Sequence, residues 1–151
     1  MRVSRPKLVP ELDVVDLDVS LAFYLDVLGF SVRYDRPERR FAFLERQGAE
    51  LMLEEAAGPG RRFRTPPLER PFGRGINLQI ETTEVDALYA GIRAPGAVVA
   101  PMEERWYRAG AVEVGNRQFV VADPDGYLLR FFQDLGERGA GQGFPPFGQG
   151  A

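Results

Sequence analysis

The chain contains no cysteine and no histidine. The first absence removes disulfides and thiolate chemistry, and makes an intracellular, cytoplasmic location the default expectation. The second removes the commonest metal-binding side chain and the commonest proton donor and acceptor at neutral pH. Lysine is nearly absent: one stands against 18 arginines, and the net charge is −3. A nucleic-acid partner needs a concentrated positive surface, so none is expected. No apolar run approaches the roughly 20 residues that cross a bilayer, and no signal-peptide pattern opens the chain, so no membrane partner is expected either. What remains is ordinary for a globular protein. With 44% apolar and 27% charged residues over 151 positions, the chain suffices for one domain or two small modules sharing a core.

The apolar pattern divides the chain into two series. In the first, Leu8, Leu12 and Val14 alternate with Val9, Glu11 and Asp13, as in a half-buried strand over 8–14. Asp16 or Asp18 then caps a helix that ends at Gly29. Its face Val19, Ala22, Phe23 and Val27 is accompanied by a second apolar stripe, Leu21, Leu25 and Leu28, which predicts contact with another unit or chain. Strands over 30–34, 40–45 and 49–55 follow, and 56–74 reads as a Gly-, Pro- and Arg-rich linker whose arginines face solvent. The second series opens with a strand over 76–81. Thr83 with Asp86 resembles a capping box for a helix burying Val85, Leu88, Tyr89 and Ile92. Strands over 97–100, 118–122 and 127–132 complete it, and 136–151 reads as a flexible Gly/Pro-rich tail.

The two series repeat each other. A shift of 66 lays Leu12, Val14, Val19 and Phe23 on Leu78, Ile80, Val85 and Tyr89. A shift of 78 lays Phe41, Gly48, Leu51 and Leu53 on Phe119, Gly126, Leu129 and Phe131, so twelve extra residues fall around MEERWYRAGAVEVG. The expectation is an α+β fold of two tandem βαβββ modules, about 8–55 and 75–134, within a single domain over 1–135.

The stretches SLAFYLDVLGF and FVVADPDGYLLRFFQ resemble the vicinal oxygen chelate superfamily of glyoxalases, bleomycin resistance proteins, fosfomycin-modifying enzymes and ring-cleaving dioxygenases. The resemblance covers about residues 8–134. Its motifs are specific for the superfamily and weak for any one activity. It implies two curved, cup-like sheets with helices outside, and dimerisation. It also implies a divalent-metal site at the positions here held by Val9, Met52, Gly75 and Arg130. None offers a usual ligand, and Arg130 is a fixed cation with no acceptor. No metal or other cofactor is therefore expected, and Arg130 stands where the enzymes of the family carry a metal-binding Glu.

Strand alternation assigns Glu11, Glu50, Met52, Glu54, Asn77, Gln79 and Arg130 to the cup face. The opposite face, Leu8, Leu12, Val14, Leu51, Leu53, Ile76, Leu78, Ile80, Leu129 and Phe131, is expected to pack on the helices. An ion pair of Arg130 with Glu11, Glu50 or Glu54 is as consistent with the sequence as ligand contact. Trp106 and Tyr107, on a loop at the rim, suit stacking on a planar group, and equally suit anchoring the loop. The reading is a non-catalytic protein resembling the bleomycin resistance proteins. It would sequester a cationic or amphipathic antibiotic-type molecule with Glu11, Met52, Glu54, Asn77, Gln79, Trp106, Tyr107 and Arg130, as a homodimer. The family's Trp-Gly pair before the last turn is missing from VEVGNRQF, which counts against bleomycin itself. The alternative is a glyoxalase-like lyase or isomerase with Glu11, Glu50 or Glu54 as base and without the usual metal.

Overall fold

The computed structural model describes residues 5–140. The first module runs β1 (Glu11–Val14), α1 (Leu17–Ala22), β2 (Ser31–Arg36), β3 (Phe41–Arg46) and β4 (Ala49–Glu55). The second runs β5 (Asn77–Glu81), α2 (Val85–Ala90), β6 (Val98–Ala109), β7 (Val112–Ala122) and β8 (Leu128–Gly139). Each module is a four-stranded mixed sheet, ordered β1-β4-β3-β2 and β5-β8-β7-β6, with the outer pairs β1–β4 and β5–β8 parallel. The fold is thus α+β, two βαβββ modules in tandem. Among the described residues no helix is long and apolar enough to cross a membrane.

The modules share one core. Leu12, Val14, Leu44, Leu51 and Leu53 from the first sheet meet Ile80, Phe119, Val121, Leu129 and Phe131 from the second, with Leu17, Tyr24, Leu28, Val85 and Leu88 of the helical segments. Two residues assigned to this face do not reach it: Leu8 is 87% exposed and Ile76 56%, because both precede the first paired residue of their strand.

Asp16, not Asp18, caps α1, its Oδ1 accepting from the amides of Asp18 and Val19 at 3.0 and 3.3 Å. Asp18 instead meets Arg40 at 3.2 Å. The helix continues as a wider π turn over Phe23–Val27, where the Leu28 amide reaches back to the Phe23 carbonyl. The buried stripe is Leu17, Ser20, Tyr24 and Leu28, while Val19 is 52% exposed. Leu21 and Leu25 lie against the same core, so the second apolar stripe is covered within the chain. The Thr83–Asp86 capping box does not form, because tertiary partners take both ends. The Thr83 amide donates to Gln47, and Asp86 pairs with Arg117 at 2.7 Å.

The twelve extra residues are strand, not loop. They extend β6 and β7 to a turn at Gly110, and β8 follows them through Gly139, four residues into the segment expected as tail. The remainder of that tail, 141–151, lies outside the described residues.

The DPDG turn clasps the modules together. Asp123 Oδ1 accepts from the amides of Asp125 and Tyr127, both at 2.9 Å, and its Oδ2 accepts from the Tyr24 hydroxyl at 2.8 Å. Asp125 takes the Val15 amide at 3.1 Å and the Arg70 guanidinium at 2.8 Å. Gly126 has φ of +99°, and a Cβ there would come within 2.5 Å of Pro71, so the linker packs directly on the turn.

Candidate functional site

Since both buried sheet faces point into one core, the two polar faces look away from it, and each opens into its own pocket. The pocket of the second module encloses about 550 Å³ between Gln79, Tyr107, Val114, Asn116, Arg130, Phe132, Asp134 and Glu137. Arg130 and Gln79 are cross-strand partners on β8 and β5. The Arg130 Nη2 donates to Gln79 Oε1, while its Nε is buried without any partner. Among the described residues no carboxylate lies within ion-pair distance of Arg130. Buried Gln118 bonds the pocket-lining Tyr107 and Asn116: its amide nitrogen donates to the Tyr107 hydroxyl at 2.6 Å and to Glu103 at 3.2 Å, and Asn116 donates to Gln118 at 3.3 Å. Asn116 was missed because its part of the strand was taken for loop, and Gln118, inside the expected strand over 118–122, was not singled out; their alternation with Val114 was the available signal.

The pocket of the first module, about 480 Å³, is more apolar: Val9, Tyr34, Phe43 and Met52, with Arg5, Pro6 and Arg33. Tyr34 stacks on Phe43 with ring centres 4.9 Å apart. Neither aromatic was singled out from sequence, although alternation with Met52 across an antiparallel pair could have found Phe43.

The glutamates expected on the cup face, Glu11, Glu50 and Glu54, line neither of these two pockets. Glu54 is buried, and its Oε1 accepts from Arg62 at 2.7 Å. Asp13 is flanked by Arg62 at 4.0 Å and Arg64 at 3.7 Å. Glu11 faces Glu54, and partial burial together with the hydrogen bond and charge of Glu54 pushes its carboxyl up to about 7. Glu50 pairs with Arg33. The linker is therefore not a solvated loop throughout: Arg62, Arg64 and Arg70 each hold a buried or half-buried acid. Gly60 makes this possible, since a Cβ there would fall within 1.8 Å of Glu54 Oε1. Arg130 pairs with none of the three glutamates considered for it. Asn77 is exposed and borders a separate groove with Pro10, Ala49 and Glu50.

Trp106 stands on the opposite face of β6 from Tyr107, as neighbours on a strand must. Its indole lies over Gly115, where an added Cβ would meet the ring at 2.7 Å, and under Arg138, whose guanidinium sits 4.1 Å from the ring centre. Gly115 pairs with Gly136 on β8, so the indole covers a surface bare of side chains. Of the expected site residues, Gln79, Tyr107 and Arg130 come together, Met52 joins the other half-cup, and Glu11 and Glu54 form an acid pair under Arg62.

The metal positions do not fit a divalent ion. Val9 and Gly75 precede their strands, and the parallel pairing sets Met52 beside Glu11 and Arg130 beside Gln79. This register gives an offset of 68 between the first strands rather than 66, a slip of two that preserves which face each residue occupies. Arg130 repels a cation and the Met52 thioether is too soft for a hard one, which leaves only the Glu11 carboxylate and the Gln79 amide oxygen, one on each sheet.

Similarity to known proteins fits this architecture. A family model described as the Glyoxalase/Bleomycin resistance protein/Dioxygenase superfamily matches residues 10–131. The chain is 30% identical over 138 residues to a bleomycin resistance protein of Geobacillus stearothermophilus, covering 84% of this chain and 96% of that protein. It is 27% identical to a protein of unknown function from Agrobacterium tumefaciens of solved structure, covering 89% and 98% of the two chains with a TM-score of 0.64. TnmS3, an antibiotic binding protein from Streptomyces, shares the fold at 24% identity and a TM-score of 0.56, over 89% and 98% of the chains. By the extent of these matches, the chain belongs to the glyoxalase/bleomycin resistance protein/dioxygenase superfamily.

Proposed function

We propose that this protein binds and sequesters an amphipathic, antibiotic-type small molecule without transforming it. The observation that carries the reading is the pocket of Gln79, Tyr107, Asn116, Arg130 and Phe132, which offers an aromatic surface and directed hydrogen bonds, with Asp134 and Glu137 also on its lining. The similarity to bleomycin resistance proteins supports it at the level of the family. Sequestration requires only burial and hydrogen bonding, which a metal-free cup of this composition supplies.

The ligand's charge is part of the reading. The sequence offered Glu11, Glu50 and Glu54 to a cationic group, but Arg62 and Arg33 engage Glu54 and Glu50, so amphipathic character takes precedence over positive charge. The two half-cups of one chain look outward from a common core, so each is completed by a second copy, and the working form is a cytoplasmic homodimer. The enzymatic reading keeps one supporting observation: the Glu11 carboxyl, at about 7, suits a general acid or base.

Calorimetric titration with metal-free bleomycin, a neutral planar aromatic antibiotic and an acidic one tests the proposal, with Zn²⁺ and Ni²⁺ titrated separately. Micromolar or tighter uptake of at least one antibiotic without metal uptake is expected. Stoichiometric metal binding, or no uptake of any antibiotic, would overturn it.

A further inference from the structure

The pocket of the second module contains a cation held in an unusual state. Arg130 has five N–H donors and uses one group, Nη2, on Gln79. Its Nε is shielded from solvent and bonded to nothing, a condition that costs free energy unless a partner arrives. On the sheet of the other module Glu54 is engaged by Arg62 and Glu50 by Arg33, and neither reaches Arg130. The neighbouring Tyr107 hydroxyl accepts from Gln118, so its own proton remains to be donated.

We infer that Arg130 is the receptor for an acidic oxygen group (a carboxylate, sulfonate or acidic phenol) on a planar apolar ligand. This rests on the ligand-binding reading and adds the chemical class of the group recognised. A carboxylate or sulfonate presents two oxygens to the edge of a guanidinium and would satisfy the orphaned Nε together with a terminal nitrogen; a phenolate presents one, to the Nε. Phe132 and Val114 line the same pocket and supply apolar cover for the body of the ligand. Asp134 and Glu137 line the pocket as well. They follow Arg130 by four and seven residues on β8, and at ~3.3 Å per residue the nearer backbone position is ~13 Å away. The potential therefore reverses along the pocket and sets the orientation of the ligand, with the acidic end at Arg130.

Two dyes of the same skeleton test this: 8-anilinonaphthalene-1-sulfonate and the uncharged N-phenyl-1-naphthylamine, each titrated by fluorescence. The wild type is expected to bind the sulfonate about tenfold more tightly than the neutral dye, the usual scale for a charge-assisted hydrogen bond. Arg130→Gln should abolish that preference, with far-UV circular dichroism and the melting temperature showing that the variant is folded. Arg130→Lys should keep part of it, and Arg93→Gln, an exposed arginine outside the pocket, should keep all of it. Equal affinity for both dyes in the wild type, or a preference that survives Arg130→Gln, overturns the acidic-group subsite and leaves the binding reading standing. Failure of both dyes to bind overturns the subsite and the planar-ligand reading together.

Discussion

At Glu11 two effects add: partial burial, and a second carboxylate at hydrogen-bond reach. Both favour the protonated form, which is why the group stands near 7 rather than 4.5. A carboxyl raised in this way contributes stability that is fully present below its unfolded value. That contribution is lost as pH rises through about 7. A carboxyl-carbon NMR titration should therefore show a midpoint near 7 for Glu11, and Glu54→Gln should lower it by removing the charge. A midpoint near 4.5 in the wild type would contradict the shared hydrogen bond. Tyr24 gives the opposite end of the pH scale. Burial, and then the charge of Asp123, raise its hydroxyl well above 10, so stability should hold at pH 9 and fall as pH rises past 10. Tyr24→Phe leaves the buried Asp123 without its side-chain donor, and urea unfolding should report a loss of about 1–3 kcal/mol. These single-residue states were not legible in the sequence. DPDG announced a turn, but nothing local announced that Tyr24, ninety-nine residues earlier, would bond it.

Among the elements, the strands of the first module were legible to within three residues at each end, because apolar alternation there is regular and Gln47-Gly48 marks the hairpin. The second module was read short. Val98–Ala109 carries four charged residues and none that is fully buried, and the buried positions of the β7 extension are Glu113, Gly115 and Asn116, so the extended ribbon lacks the hydrophobic signal that identifies a strand. What holds it is cross-strand pairing: Trp106 over Gly115, Arg138 over Trp106, and Arg138 with the buried Glu113 at 3.0 Å. The test is Gly115→Ala. Its methyl must displace the indole, so the emission of this single tryptophan should shift and stability should fall by about 1–3 kcal/mol. Unchanged emission would contradict the packing. The helix was legible as a helix but not in its facing: Leu17, Ser20, Tyr24 and Leu28 form the buried stripe, at ordinary helical spacing, and Val19 is 52% exposed.

For the whole molecule, internal repetition was the strongest sequence signal, and the matching strand orders of the two sheets express it directly. The repeat does not say how two half-cups are used. Their outward-facing arrangement predicts a dimer, and sedimentation at micromolar concentration should give about twice the 16.9 kDa chain mass. A monomer under those conditions would contradict completion of each cup by a second copy. The candidate site was half legible: Arg130, Gln79 and Tyr107 were named, while Asn116, Phe43 and Tyr34 depended on strand extents and pairings that only the fold fixes. The central claim is binding without turnover. The most direct measurement is equilibrium dialysis of the purified protein against metal-free bleomycin and the neutral and acidic aromatic antibiotics, with mass spectrometry of what is retained. Retention of at least one compound with its mass unchanged after prolonged incubation is the predicted result. Retention of none, or recovery of a chemically altered compound, would contradict it.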